Sequence, residues 1–257
     1  TGAAQGERAL ELQELVLGNL GLEVPVATTQ VVGRDRYIEW VGWMANVSTT
    51  VEKVLQEIRN LQRTEIGEVS EAFDSEKQVG SSTMAHKKNP ITAENACGLA
   101  RIVRSMIIPS YENALLWHER DLANSSSERF TLSHSMILLD DIISKCDKVL
   151  LKLEVNRERM QENMDSQGGL IMAEKVMLEL VDRGMPRDEA HEELRKASME
   201  SLDKGVNLEV ACNSSNAIMN LIDPDELSGF FKPESHLGSS SELVENAISI
   251  AKKRCSQ

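Results

Sequence analysis

The fold is decided by the stretch from Arg34 to Arg63, which reads RDRYIEWVGWMANVSTTVEKVLQEIRNLQR and repeats apolar side chains every seven residues. The repeat consists of two tracks. The first is Tyr37, Met44, Val51 and Ile58, and the second, three residues further along the chain, is Trp40, Val47, Val54 and Leu61. An apolar repeat over four heptads is typical of a long helix that packs against another helix. We therefore predict one unbroken helix, about 45 Å long at the usual rise per residue, with a partner helix.

Two further long helices are predicted downstream. One runs from Ile91 to about Leu116 and should kink at Pro109, because proline lacks the amide hydrogen that a helix needs. Its predicted apolar side consists of Leu99, Ile102, Val103, Met106 and Ile107. The other runs from about Ser126 to Leu153 and carries a second heptad seam, made of Leu132, Leu139, Cys146 and Leu153 with Met136, Ile143 and Leu150 between them. Three long helices with such seams predict a helical bundle.

The pattern changes after Leu153 to shorter, more charged helices separated by glycine and proline. We predict these helices at Arg157 to Met164, Leu170 to Arg183, Arg187 to about Asp203, Leu208 to Ile222 and Ser240 to Lys253. Aromatic residues make up only 4% of the chain, and the apolar residues recur at helical spacings, so the predicted fold class is all-α. We expect a central long-helix bundle domain at 1–153, with a functional loop at 74–90, and a smaller C-terminal helical domain at 154–257.

Composition limits the classes of function. The formal net charge of −13 should repel polyanions, so we expect no nucleic-acid partner. No run of about eighteen apolar residues marks a membrane span and no signal-peptide start is present, so we expect a cytoplasmic protein without a membrane partner. The four cysteines are far apart and form no Cys-x-x-Cys pair, which indicates buried free thiols rather than a zinc site or a disulfide framework.

The segment from Gly80 to Pro90, GSSTMAHKKNP, combines a hydroxyl pair, two ammonium groups and an amide, which is not a core composition. Glycine, serine and asparagine compete with regular structure, so we predict an ordered loop. It should end at a helix with Pro90 in the first turn and Asn89 as the cap. By composition alone, a surface loop with a basic dipeptide is the simpler interpretation. However, the polar stretch from Thr64 to Pro90 is long for a connection in a compact domain, and this length suggests a mobile lid.

Two other polar blocks flank the third long helix. Trp117-His118-Glu119-Arg120-Asp121 precedes it, and Ser125-Ser126-Ser127-Glu128-Arg129 is predicted to open it. A charged turn and an ordinary N-cap explain both blocks without any ligand. In a functional interpretation, the guanidinium groups of Arg120 and Arg129 suit phosphate or carboxylate, because arginine binds both in a bidentate way. Ser125 would add a further hydrogen-bond donor.

The loop closely resembles the signature loop of the fumarase/aspartase superfamily, Gly-Ser-Ser-x-Met-Pro-x-Lys-x-Asn-Pro. The one misfit is Ala85, where the superfamily has proline; this change should loosen the loop without removing a reacting group. A narrower resemblance, to the adenylosuccinate lyase family, rests on additional blocks in the same order. These blocks are Thr29 to Val32 with Arg34 to Tyr37, Gln62 to Glu65, Leu116 to Asp121 and Ser125 to Arg129. The likeness covers most of the chain to about residue 153 and, more loosely, the C-terminal helices.

This resemblance implies a β-elimination that releases fumarate from adenylosuccinate, giving AMP, and from the succinyl-carboxamide ribotide intermediate of purine biosynthesis, without a metal or organic cofactor. Ser81 matches the family's general base, which removes a proton from the succinyl carbon beside a carboxylate. Serine can do so only if positive charge and loop amides stabilise its alkoxide in a site that excludes water. Lys87 and Asn89 match positions that hold the succinyl carboxylates.

Other residues match substrate-binding positions of the family, namely Gln30, Asn95, Arg120, Ser125 and Arg129. The arginines and Ser125 are best suited to the nucleotide phosphate and carboxylate oxygens. Asn95 also has a simpler explanation, because polar residues are ordinary in the first turns of a helix. His86 is interpreted as a neighbour of the site rather than an acid or base, and His118 as a structural support for Arg120.

The family's general-acid histidine lies in an N-terminal region that this chain does not contain, and Thr1 matches a position after that region. We expect this chain to be the central and C-terminal part of such an enzyme, and to turn over adenylosuccinate negligibly by itself. Its two seams exceed what one small domain needs for a core, and the family forms tetramers with shared active sites. A homotetramer is therefore predicted.

Two other classes of function stay open. One is a non-catalytic helical scaffold, although the presence of Ser81, Lys87, Gln30 and both arginines argues against it. The other is a different member of the superfamily, such as an argininosuccinate lyase or a cycloisomerase. The Trp-His-Glu-Arg-Asp block favours the adenylosuccinate lyase family over these, and a panel of substrates would separate them.

Overall fold

Helices make up nearly all the regular structure in the computed structural model, which describes residues 3–27, 29–72, 88–118 and 120–256. This result confirms the predicted all-α fold class. The chain divides into two compact units, Thr1–Asn156 and Arg157–Gln257. The sequence predicts a boundary between residues 153 and 154.

The first unit is built from long helices with a short antiparallel strand pair. Its elements, after a 3₁₀ helix at Ala3–Arg8, are α1 (Ala9–Asn19), α2 (Asp35–Leu61), β1 (Val69–Ser70), α3 (Ile91–Ser105), α4 (Ile107–Glu112), α5 (Ala123–Leu151) and β2 (Glu154–Val155). In the strand pair, which the sequence did not predict, Val69 lies opposite Val155 and Ser70 opposite Glu154. The pair ties the chain that follows α2 to the chain that follows α5.

The core of the first unit lies between α2, α3 and α5, as the seams predict. Its fully or nearly fully buried side chains are Val41, Met44, Leu55, Ile58, Ala93, Ala96, Cys97, Ala100, Val103, Leu139, Ile142, Cys146 and Val149. Most of those on α3 are short, while those on α2 and α5 are longer. Alternation of short and long side chains fills a close-packed interior without voids.

Only part of the predicted seam on α2 lies in the core of the single chain. Met44 and Ile58 are buried as predicted, but Trp40 and Val54 are 46% and 41% exposed. The buried partner track is instead Val41, Ser48 and Leu55. A polar residue in its middle hides this track from a search for apolar heptads. Ser48 tolerates burial because its hydroxyl donates a 2.8 Å hydrogen bond to the Ala45 carbonyl.

The helix predicted to kink at Pro109 is interrupted at Met106, three residues before the proline, for a clear reason. The ring of a proline clashes with the carbonyl four residues earlier, and the residue four before Pro109 is Ser105, where α3 ends. The helix resumes as α4 and ends at Glu112, short of the predicted Leu116. The predicted apolar side of α3 is only partly correct, because Val103 is buried but Ile102 is 45% exposed. The small residues Ala93, Ala96 and Ala100 form the buried face instead.

The second unit contains shorter helices around its own core. They are α6 (Arg157–Asp165), a 3₁₀ helix at Leu170–Met172, α7 (Ala173–Asp182), α8 (Arg187–Lys204), α9 (Leu208–Asn213), α10 (Asn216–Met219), α11 (Pro224–Phe230), a 3₁₀ helix at Pro233–His236, and α12 (Ser240–Cys255). The predicted helix from Leu208 to Ile222 is broken, because the Ser215 side chain caps α10. Helix α11 was not predicted, although Asp223 as cap and Pro224 in first position are ordinary start signals.

The cysteines are free thiols, and Cys97, Cys146 and Cys212 are buried as predicted. Cys255 is exposed, contrary to that prediction, because it lies at the end of a helix whose side chains are exposed. Burial raises the pKa of the Cys212 thiol to about 12, so this group is an unreactive core residue. Among the helices that the structure describes, none combines the length and apolar character needed to cross a membrane.

Candidate active site

A cavity of about 470 Å³ beside the first turns of α5 contains three of the residues predicted to bind substrate, Arg120, Ser125 and Arg129. The other residues that line it are Arg34, Asn124, Glu128, Leu132, Ser133 and Met136. The volume is within the range of small-molecule sites. The structure thus brings together two blocks that the sequence could only interpret separately.

The start of α5 places these residues. The helix begins at Ala123, before the predicted start at Ser126. The carboxylate of Asp121 stabilises the turn that leads into it, because each of its oxygens accepts a backbone hydrogen bond. One accepts a 2.8 Å hydrogen bond from the Ala123 amide and the other accepts one of 2.8 Å from the Trp117 amide. These bonds, with that from Trp117 the larger cause, hold the pKa of Asp121 below its usual value. Ser125 and Arg129 consequently lie one helical turn apart on the same face of α5.

Glu128 is the acidic group of the cavity, and its charge is compensated within the protein. Arg34 donates to its two carboxylate oxygens from Nε at 2.6 Å and from Nη2 at 3.3 Å, and Asn124 adds a 2.8 Å hydrogen bond from its amide. The side chains of Arg34 and Glu128 are only 14% and 16% exposed. This ion pair joins residues 94 positions apart, so no local sequence signal could have revealed it.

The remaining charges give the cavity an excess of positive charge. Arg120 and Arg129 are both exposed, and within the described part of the chain neither guanidinium group forms an ion pair. Because Glu128 is already paired with Arg34, it does not cancel these two charges. The geometry therefore suits an anionic ligand with phosphate or carboxylate oxygens, which arginine can bind through two parallel hydrogen bonds.

A second and larger cavity of about 950 Å³ lies between the end of α2 and the start of α3. Asn89, predicted to hold a succinyl carboxylate, lines it together with Lys88. Two arginines also line this cavity, Arg59 in the last turn of α2 and Arg63 just after the helix. The two cavities share no lining residue. Within one chain, Asn89 is therefore not part of the cavity that contains Arg120.

The predicted cap of α3 is wrong. The structure puts Pro90 just before the helix and gives the capping role to Glu71, whose carboxylate accepts hydrogen bonds from the amides of Thr92 at 3.2 Å and Ala93 at 3.1 Å. A carboxylate is a stronger acceptor than an amide oxygen, and its charge is favourable at a helix N-terminus. The carbonyl of Asn89 accepts a 2.9 Å hydrogen bond from the Ile91 amide.

The other predicted residues lie apart from these cavities or outside the described ranges. Gln30 is exposed and lines neither cavity. Asn95 is exposed and accepts a 2.6 Å hydrogen bond from the Lys145 ammonium. This contact agrees with an ordinary polar residue in the first turns of a helix. Ser81, His86 and Lys87 are outside the described residues. In the described ranges, no three His, Cys, Asp or Glu side chains are grouped as a metal site requires.

Comparison with known proteins connects this geometry to a family. A family model described as "Lyase" matches residues 2–105, and one described as "Adenylosuccinate lyase C-terminus" matches residues 169–247. The adenylosuccinate lyase of Methanothermobacter thermautotrophicus is 46% identical over 253 residues, covering 98% of this chain and 56% of that protein. The adenylosuccinate lyase of Staphylococcus saprophyticus is 37% identical over 237 residues, covering 92% and 55%. The chain thus spans about half the length of these relatives.

Solved structures agree with the family matches. The 3-carboxy-cis,cis-muconate lactonizing enzyme of Pseudomonas putida superposes with a TM-score of 0.85 at 27% identity, over 98% of this chain and 55% of that one. A fumarate lyase from Mesorhizobium sp. BNC1 gives a TM-score of 0.84 at 26% identity, over 97% and 55%. The chain is therefore a member of the fumarase/aspartase superfamily of lyases. Within that superfamily it belongs with the adenylosuccinate lyases, as the signature loop and the flanking blocks predict.

Proposed function

We propose that the protein releases fumarate from adenylosuccinate, giving AMP, and from the succinyl-carboxamide ribotide intermediate of purine biosynthesis. The observation that carries the proposal is the cavity at α5, where Arg120, Ser125 and Arg129 meet while Glu128 is neutralised by Arg34. Both substrates carry a phosphate and two carboxylates, so a cavity with two arginines complements them. The relationship to adenylosuccinate lyases supports this choice of anionic ligand.

In the proposed reaction, Ser81 removes a proton from the succinyl carbon beside one carboxylate. The electron pair left on that carbon forms the double bond of fumarate, and the bond from the other carbon to nitrogen breaks. The nitrogen takes a proton from a general acid, to which we assign no residue of this chain. Lys87 and Asn89 would hold the succinyl group and stabilise the dianion that forms as the proton leaves. Gln30 and Asn95 are proposed as further contacts to the substrate.

We propose that the active protein is a homotetramer in which subunits share their active sites. Asn89 and Arg120 line separate cavities of one chain, so residues of a second subunit would be needed to bring both kinds of contact to one substrate. Three residues of the predicted seam on α5, Met136, Ile143 and Leu150, are 51%, 44% and 48% exposed in the single chain. A half-exposed heptad track is typical of a helix that packs against another subunit.

The tetramer leads to a prediction about Ile143→Glu. Light scattering should give a tetramer mass for the unmodified protein and a smaller species for the variant, because association would bury an unpaired carboxylate. Leu202→Glu on α8 is the matched control, since Leu202 is also exposed but lies in the second unit. Its mass should stay that of the tetramer. A monomeric unmodified protein would contradict the interface.

A substrate panel tests the proposed activity. The product of the complete gene should release fumarate from adenylosuccinate, measured by the absorbance of fumarate after separation, and much less from argininosuccinate. Cycloisomerisation of 3-carboxy-cis,cis-muconate is the second candidate, favoured by the similarity to the Pseudomonas enzyme. Activity with that substrate alone would replace the proposal, and no turnover of any substrate would favour a structural role.

We also propose a cytoplasmic location. All four cysteines are free thiols, including the exposed Cys255, and this suits a reducing compartment.

A further inference from the structure

One glutamine side chain connects the two parts of the chain that lie before and after the predicted catalytic serine. Gln62 directly follows α2. Its side-chain oxygen accepts a 2.9 Å hydrogen bond from the Glu71 amide, and its side-chain nitrogen donates a 3.2 Å hydrogen bond to the Lys88 carbonyl. A primary amide can accept and donate at once, whereas a carboxylate can only accept. Glutamine can therefore make both of these hydrogen bonds, and glutamate at this position could not.

Glu71 extends this connection to α3. It is only 7% exposed, and its carboxylate caps the helix through the Thr92 and Ala93 amides. Gln62 thus fixes the backbone at Lys88, and Glu71 fixes the backbone at Thr92. Asn89 lies between these two fixed points, one residue after Lys88 and three before Thr92. The position of its side chain in the large cavity depends on both.

We propose that Gln62 and Glu71 are positioning residues that hold Asn89 where it binds a carboxylate of the substrate. The inference rests on the proposed function, since the carboxylate is that of the succinyl group. Gln62 belongs to a block that carries part of the family resemblance, but the resemblance gives the residue no role. Its position at the end of α2 assigns one, because the amide joins this long helix to the backbone beside Asn89.

The main test is a double-mutant cycle in the product of the complete gene. Gln62→Met removes both hydrogen bonds at nearly constant size and should lower kcat/KM about 10–100-fold, since a small misplacement of a binding group has effects of this order. Asn89→Ala should cost a similar factor. Because Gln62 acts through Asn89, adding Gln62→Met to Asn89→Ala should cost little more. Gln161→Met on α6 is the matched control and should leave kcat/KM unchanged, since Gln161 is exposed in the second unit.

Glu71→Gln provides a second variant, because it keeps the shape and one acceptor oxygen while weakening the cap. It should lower kcat/KM in the same direction as Gln62→Met and by a smaller factor. Additive losses from Gln62→Met and Asn89→Ala would overturn the inference and indicate a merely structural role. An unmodified protein that releases no fumarate from any substrate would instead overturn the proposed function.

Hydrogen exchange tests the arrangement independently of activity. In the unmodified protein, the amides of Glu71, Thr92 and Ala93 are hydrogen-bonded to side chains and should exchange slowly. In Gln62→Met, mass spectrometry should show faster exchange in peptides that cover residues 88–93, while peptides from α5 stay unchanged. Equal exchange in both proteins would mean that Gln62 does not hold this backbone, and would overturn the inference.

Discussion

Ser81→Ala in the product of the complete gene is expected to abolish fumarate release while substrate affinity changes by no more than a few-fold. Removal of the proton belongs to the transition state, so loss of the base should lower kcat rather than weaken binding. Positioned bases typically contribute about 10²–10⁴-fold, and no water molecule is expected to replace an alkoxide in a closed site. Single-turnover kinetics with a separate binding titration would measure both quantities.

The neighbouring hydroxyl supplies the comparison for this experiment. Ser82→Ala changes the same loop by the same number of atoms, so it controls for altered loop packing. Ser82→Ala should therefore retain more activity than Ser81→Ala. If the order of the two variants were reversed, Ser82 rather than Ser81 would be the base, and near-normal activity of Ser81→Ala would remove Ser81 from the mechanism.

The second large effect is expected for Arg129→Lys, which should raise KM for adenylosuccinate about 10–100-fold. Lysine keeps the charge but cannot make two parallel hydrogen bonds to a phosphate, and a lost charge-assisted bond is worth roughly 1.5–3 kcal/mol. Arg34 cannot take over the interaction, because its guanidinium group already donates to the carboxylate of Glu128. Initial rates over a range of substrate concentrations would give KM and kcat separately.

Arg187→Lys is the matched control for this variant, because Arg187 is an exposed arginine at the start of α8 in the second unit. Its KM should equal that of the unmodified protein. An unchanged KM in Arg129→Lys would mean that the phosphate is bound elsewhere, for example in the large cavity with Arg59 and Arg63.

Local patterns were sufficient to predict the helical class and an interruption of the helix near Pro109, because each depends on residues close in sequence. They failed where a single side chain decides the packing. Ser48 interrupts the apolar track of α2, so the buried track with Val41 and Leu55 was not predicted.

Contacts between residues that are distant in sequence could not be predicted from the periodicity of apolar residues. The Arg34–Glu128 ion pair, the capping of α3 by Glu71 and the pairing of β1 with β2 all join parts of the chain that only the fold brings together. The role of Gln62 was missed for the same reason, although the residue stands in a block that resembles the family. A side chain that can both donate and accept next to a functional loop is the signal that could have suggested it.

The arrangement of the bundle has a consequence for synthesis of the protein on the ribosome. The core forms only when α2, α3 and α5 are all present. The ion pair of Arg34 with Glu128 likewise cannot form until Glu128, 94 residues later in the chain, has been synthesised. At the usual rate of translation, roughly 5 to 19 s separate the synthesis of these two residues. During this interval the apolar face of α2, with Met44 and Leu55, has only part of its partners, so the nascent chain presents a binding surface for chaperones before it can fold.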